Sequence, residues 1–180
     1  GIQGAIAAFA VFDDGTGPAL YAGGLFTMAG GVPARSVAKW TRSGWAALSS
    51  QTTSGTNGFV KSLLAVSTRR GPSLIAAGEF TEAGGVAVGR IAEWDGRSWS
   101  TIAGLPSAGL DDTVNTLALF DDGLGTALFA GGVFRRAGDV AVNYIAKWNG
   151  AEWSSLSGPS GVGPNSGVQA LTAWDDGHGP

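Results

Sequence analysis

Three acidic pairs, Asp13-Asp14, Asp121-Asp122 and Asp175-Asp176, open the same Asp-Asp-Gly-x-Gly turn. They are the one acidic feature that recurs along the chain. A calcium ion would need about six to eight oxygen ligands on a suitably folded loop. Two adjacent carboxylates supply too few, and the corresponding stretch between the first two pairs reads Ser67-Thr68-Arg69-Arg70. The aspartates are therefore expected to accept hydrogen bonds from turn amides. Calcium at these turns is the only cofactor the sequence brings to mind, and the expectation is none. His178 is the only histidine and has no Asp or Ser partner at a motif spacing, so it is expected as a solvated turn residue rather than a catalytic base, and without cysteine there is no Cys-His pair. Glycine clusters such as Gly15-x-Gly17 and Gly161-x-Gly163 precede neither a helix pattern nor a Gly-Lys-Ser/Thr ending, so they do not read as phosphate loops. Other acids, Glu79, Glu82, Glu93, Asp95 and Glu152, occur at different phases and form no evident pair. No catalytic residue is assigned.

Tryptophan is the other residue type with chemical potential, because an exposed indole pair can stack on a sugar. Here the pairs Trp40/Trp45, Trp94/Trp99 and Trp148/Trp153 recur every 54 residues. Such strict phase, alternating with small residues, favours packing between neighbouring sheets over a sugar platform. Trp174, standing where Phe12 and Phe120 stand, is expected in the core as well.

These spacings reveal what must hold the side chains. Phe26, Phe80 and Phe134 keep the 54-residue register, as do Leu20, Leu74 and Leu128, without one insertion. A fixed period of about 50 residues marks a repeat architecture. The units are 4–57, 58–111 and 112–165, with 166–180 opening a fourth. Each breaks into four strand-length pieces. The first is Ile6 to Phe12, Val60 to Val66, Val114 to Phe120 and Val168 to Trp174. The second is Ala19 to Gly24 and Ala127 to Gly132. The third is Ser36 to Trp40, Arg90 to Trp94 and Tyr144 to Trp148. The fourth is Trp45 to Leu48, Trp99 to Ile102 and Trp153 to Leu156. Asp95-Gly96 and Asn149-Gly150 supply the positive φ angles of tight hairpins. The predicted class is all-β: tandem four-stranded antiparallel blades of a β-propeller. Three units and one strand fall short of the roughly 4–8 blades that close a ring. A longer array, or closure with other copies, is expected.

Composition agrees. The chain of 180 residues has 31 glycines, 14% charged and 44% hydrophobic residues, and a net charge of −3. That balance disfavours disorder. It also disfavours a nucleic-acid partner, which calls for a clustered basic face; only Arg69-Arg70 and Arg135-Arg136 form basic pairs. No apolar run approaches a membrane span, and Ile6 to Phe12 is too short, with no basic flank, for a signal peptide.

Kelch-type blades show a hydrophobic strand ending in a double glycine, an aromatic closing the next strand, and a tryptophan opening the fourth. Tyr21-Ala22-Gly23-Gly24, Trp40 and Trp45 match that pattern. Ala130-Gly131-Gly132, Trp148 and Trp153 match it again, while the second unit departs with Ala77-Gly78. The five-residue spacing between tryptophans is tighter than the usual kelch spacing. The chain thus resembles kelch repeats, in a glycine- and tryptophan-rich form similar to that of large secreted or surface-attached bacterial repeat proteins. The resemblance spans the whole chain and implies a propeller and a secreted or cell-surface location. It implies no activity. The galactose oxidase family also carries a kelch propeller, but its copper chemistry needs several histidines, tyrosines and a cysteine, against His178, Tyr21 and Tyr144 here.

The repeat framework would comprise Gly23, Gly24, Phe26, Trp40 and Trp45, then Gly78, Phe80, Trp94 and Trp99, then Gly131, Gly132, Phe134, Trp148 and Trp153. What differs between units lies after the phenylalanines and before the third strands, and in the connections Ser50 to Asn57, Gly104 to Asp111 and Gly158 to Asn165. A constant frame with variable loops is how repeat proteins display binding surfaces. Met28, Arg35, Glu82, Arg90, Arg135, Arg136 and Asn143 are the candidate contacts, for a protein or glycan partner. The expected function is a non-catalytic structural or adhesive module. One rival is a glycan-active enzyme using Glu79 or Glu82 with Asp139 across blades. Another is an assembly module whose open ends meet other chains.

Overall fold

The computed structural model describes residues 1–49, 53–68, 70–102, 109–156 and 163–173. Among these the chain is all-β, built from three antiparallel sheets that follow the 54-residue units. The first sheet contains β1 (Ile2–Asp13), β2 (Pro18–Ala29), β4 (Val37–Thr41) and β5 (Gly44–Ala47), with β3 (Val32–Pro33) paired to β2. The second contains β6 (Val60–Thr68), β7 (Gly71–Gly78), β10 (Ile91–Trp94) and β11 (Trp99–Ser100). The third contains β12 (Val114–Asp121), β13 (Thr126–Gly132), β16 (Ile145–Trp148) and β17 (Trp153–Ser155). Two small hairpins not anticipated from the sequence, β8–β9 (Glu82–Ala83, Val86–Ala87) and β14–β15 (Arg136–Ala137, Val140–Ala141), bridge the second and third strands of their units.

Each sheet is a meander in sequence order, the arrangement that short turns favour. Its first strand carries a bulge at a fixed place, between Ile6 and Ala8, Val60 and Ser62, and Val114 and Thr116. The glycine pair explains how the bulge is accommodated. A Cβ on Gly24, Gly78 or Gly132 would overlap the carbonyl oxygen of Ala5, Phe59 or Thr113 on the bulged strand. A Cβ on Gly23 would instead sit 2.6 Å from Val60 Cγ1 of the next sheet, and on Gly131 2.6 Å from Val168 Cγ1. Only the second glycine presses on backbone, so only the first is replaced, by Ala77.

The sheets pack face to face, and two cores lie between them. Phe12, Tyr21, Val37 and Leu48 of the first sheet meet Val60, Leu63, Leu74 and Trp94 of the second. Ile75, Ile91 and Ile102 of the second meet Val114, Leu117, Leu128 and Trp148 of the third. Trp94 with Trp99, and Trp148 with Trp153, are buried pairs with ring centroids 5.3 Å apart. Hydroxyls of the first strands add a second link. Ser62 Oγ accepts from Leu117 N on the open edge of β12, and Thr116 Oγ1 accepts from Leu171 N in the segment that follows the third sheet, each at 3.2 Å.

Three expectations need correction. Trp40 is 49% exposed rather than core, and its partner Trp45 is only partly buried, because neither has a preceding sheet to pack on in this structure. The third strands begin one residue late: Ser36, Arg90 and Tyr144 have φ of 61°, 63° and 65° and stand before β4, β10 and β16. Val168 to Ala173 is not a strand, although it lies against the third sheet, with Val168 N donating to Gly132 O at 2.9 Å. A first strand is defined by pairing with its own second strand, and no such partner occurs among the described residues. Trp174 lies outside the described residues.

Candidate functional site

The two ends of the sheets present different chemistry. At one end are the Asp-Asp-Gly turns. Asp13 Oδ1 accepts from Gly15 N and Gly17 N at 2.9 and 3.0 Å. Asp121 Oδ1 accepts from Gly123 N and Gly125 N, both at 3.0 Å. The second aspartate of each pair turns instead to a lysine on the third strand. Lys39 Nζ lies 2.5 Å from Asp14 Oδ2, and Lys147 Nζ 2.5 Å from Asp122 Oδ2. Burial pushes the Asp14 carboxyl upward, but hydrogen bonds from Lys39, Thr16 and Tyr21 outweigh it and hold the group at about 2. Burial, and then the bond to Asp14, drive the Tyr21 phenol well above its ordinary value. The bond from Lys147 likewise holds Asp122 low. Asp14, Tyr21 and Lys39 line a cleft of about 270 Å³ with Leu48, Trp94 and Arg97. The carboxylate and phenol face each other, so the cluster is satisfied within itself. Among the described residues, no three or more His, Cys, Asp or Glu side chains gather. Asp175, Asp176, His178 and Arg69 fall outside the described residues.

At the opposite end, the connection between units and the loop from second to third strand come together. The geometry is tightly specified. The left-handed residue turns the chain so that its amide donates to the framework phenylalanine carbonyl, as Ser36 N does to Phe26 O at 2.9 Å. Its own carbonyl accepts from the second glycine, as Ser36 O does from Gly24 N at 2.9 Å. Arg90 with Phe80 and Gly78, and Tyr144 with Phe134 and Gly132, repeat both bonds. Serine, arginine and tyrosine share no preference for this conformation, which costs an L-residue about 1–2 kcal/mol. The paired backbone bonds supply the compensation.

The connection is clamped from both sides. Thr56 N donates to Arg35 O of the first sheet at 2.9 Å, while Gly55 O accepts from Gly84 N of the second unit at 2.8 Å. Asn57 Oδ1 then accepts from Thr81 N and Glu82 N at 2.8 and 3.0 Å. The next junction repeats the pattern, with Asp111 Oδ1 accepting from Arg135 N and Arg136 N, both at 2.9 Å. Gly55, Gly109 and Gly163, and Asn57, Asp111 and Asn165, keep the 54-residue register. Sequence reasoning placed these positions in variable connections. The register itself was the signal that could have found them.

On this frame sit the candidate contact residues. Arg35 is exposed beside a groove of about 340 Å³ between the first sheet and the connection that follows it, lined also by Gln3, Thr27, Ser36, Thr56 and Asn57. Arg90 Nη1 donates to Glu79 O at 2.6 Å, and Glu79 pairs with Lys61 at 2.9 Å. Arg135 stacks on Tyr144, 4.1 Å from the ring centroid, and bonds to the Tyr144 hydroxyl and to Asn143. Met28, Glu82 and Arg136 lie on β2, β8 and β14 rather than in loops. All seven belong to the connection end, but each unit places its own set along a different sheet; no single constellation joins them. Glu79, Glu82 and Asp139 are at this end too, with Glu79 held by Lys61 and the Asp139 carbonyl accepting from Arg136 Nη2 at 3.0 Å. Comparisons with protein-family models, with curated proteins and with solved structures find no match for this chain.

Proposed function

We propose that the chain is a non-catalytic recognition module of kelch-like propeller blades in a secreted or cell-surface protein, binding a protein or glycan at the connection end. The observation that carries this reading is the contrast at that end between backbone and side chains. Backbone bonds repeat at each described junction, while the side chains they present change: Thr27, Thr81 and Arg135 stand at one position, Arg35, Gly89 and Asn143 at another, and Ser36, Arg90 and Tyr144 at a third. A rigid frame lowers the ordering cost of binding, and exposed arginines are favoured anchors for carboxylate or aromatic groups. The groove beside Arg35 offers one concave place for such a group.

The reading is tested on a printed array of neutral and acidic oligosaccharides and on intact cells. The natural chain is compared with an Arg35→Ala, Arg90→Ala, Arg135→Ala variant. Binding by the first and at least about a tenfold loss in the second is expected, that being the effect of about 1.4 kcal/mol. Binding that survives all three substitutions would place recognition elsewhere.

A further inference from the structure

Asn-Gly occurs twice in the chain, at Asn57-Gly58 and at Asn149-Gly150. Asparagine is thermolabile, and most so before glycine, whose amide no Cβ shields from attacking the side-chain carbonyl carbon. The fold treats the two pairs differently. Asn57 belongs to the clamp between units. Its Oδ1 accepts from Thr81 N and Glu82 N, and its Nδ2 donates to Thr81 Oγ1 at 3.0 Å, so both polar atoms are tied to the second unit. Gly58 is closely covered as well: a Cβ there would lie 3.0 Å from Phe80 Cα and 3.1 Å from Phe80 N. Bringing Gly58 N onto Asn57 Cγ would undo the clamp.

Asn149-Gly150 lies in the turn between β16 and β17, and both residues are exposed. Asn149 Oδ1 accepts from Ala151 N and Glu152 N at 2.9 and 3.0 Å, inside the same turn. Two donors on a carbonyl oxygen stabilise the oxyanion that forms when its carbon is attacked. Asn149 Nδ2 and Gly150 N have no partner among the described residues, so neither the leaving group nor the nucleophile is held. Gly150 has φ of 97°, and no described heavy atom lies within 4 Å of the place a Cβ would take. The exposure belongs to the turn itself. Asp95, 54 residues earlier, is also exposed, although its sheet packs against a neighbour on either side.

We propose that Asn149-Gly150 is a site of spontaneous modification, where Asn149 becomes aspartate or isoaspartate while Asn57 is preserved. Gly150 N gives its proton to solvent base and bonds to Asn149 Cγ. The Cγ–Nδ2 bond breaks, and Nδ2 departs as ammonia with a proton returned by solvent. Water, the sole co-reactant, then opens the succinimide ring. Attack at Cγ gives aspartate; attack at the main-chain carbonyl leaves the chain running through the side chain, as isoaspartate. The fold distinguishes these products. Aspartate already occupies this turn in the second sheet, where Asp95 Oδ1 accepts from Arg97 N and Ser98 N at 2.8 and 2.7 Å. Isoaspartate adds a methylene to the backbone between Trp148 and Trp153, which pair across that turn and bury their rings together. Either product takes the net charge from −3 to −3 − 1 = −4.

The test is to incubate the purified natural chain at mildly alkaline pH, folded and in denaturant, and to sample it over time. Mass spectrometry of the two Asn-Gly peptides follows conversion, and enzymatic methyl transfer to the freed α-carboxylate counts isoaspartate. In the folded chain, conversion at Asn149 is expected to be at least about tenfold faster than at Asn57. In denaturant the two rates should converge, since the clamp no longer protects Asn57. Asn149→Asp should keep the natural urea midpoint. Equal rates at the two sites in the folded chain, or a faster one at Asn57, overturn the proposal. So does an Asn149 that survives in the folded chain and converts in denaturant, because the turn would then protect it.

Discussion

The middle sheet and its two neighbours solve the same packing problem with opposite polarity. In the first and third sheets a lysine on the third strand reaches an aspartate in the turn: Lys39 to Asp14, Lys147 to Asp122. In the second, the lysine's place is taken by Glu93, the aspartate's by Thr68, and the position of Ala19 by Ser73. Glu93 is buried and accepts from Ser73 Oγ at 2.7 Å. The middle sheet also has Ala77 where the others have Gly23 and Gly131. The repeat therefore tolerates exchange at a side-chain network, provided the whole network changes together. It tolerates exchange at the first glycine but not at the second, because backbone cannot move aside as a side chain can.

The glycine contrast carries the largest expected effect. Gly78→Ala drives a methyl group into the Phe59 carbonyl and should cost about 3 kcal/mol or more. Gly23→Ala, meeting only the Val60 and Leu63 side chains, should cost no more than about 1.5 kcal/mol. Urea midpoints for the two variants measure the difference; equal losses would remove the distinction between the glycines.

The polarity exchange comes next. Lys39→Glu alone sets a second carboxylate against Asp14, in a pair whose side chains are 15% and 10% exposed, and should cost roughly 2–4 kcal/mol. Adding Asp14→Thr and Ala19→Ser imports the middle sheet's set and should recover about half of that, the coupling being read as non-additivity. A fully additive triple variant would show that the network does not act as a unit.

Acid should produce the smallest change. The folded Asp14 carboxyl is held at about 2 against an ordinary 3.8. Its pKa is depressed on folding, so its contribution is complete above 3.8 and disappears as pH falls through about 2. Roughly 1–2 kcal/mol is at stake after allowance for water access. Chemical denaturation at a series of pH values in that window, for the natural chain and for Asp14→Asn, should show a loss in the first and a flatter profile in the second. Parallel profiles would assign the acid sensitivity to other carboxylates.

The sheets were legible in the sequence because tryptophan, phenylalanine and glycine had to recur wherever one sheet presses on the next. The left-handed residue at Ser36, Arg90 and Tyr144 was not, since its conformation is imposed by backbone bonds that no residue type announces. Trp40 was misplaced for a different reason: the same residue is core at Trp94 and surface at position 40, and only the neighbouring sheet decides which. The small hairpins β8–β9 and β14–β15 escaped because two-residue strands carry no alternation to read. The contact residues were legible as differences between units, but their distribution along separate sheets required coordinates.

The clamped connection at Gly55 to Asn57 has a consequence for how the molecule comes apart. By covalent order these residues close the first unit; by hydrogen bonds they hold the hairpin and loop of the second as well. A unit cut at its sequence boundary would take its neighbour's fastening with it. Opening one sheet must loosen the next, so the boundaries of cooperative unfolding fall inside the repeats rather than between them. The smallest independently stable piece is then longer than the period, and hydrogen exchange should register the array as overlapping blocks rather than as three separate ones.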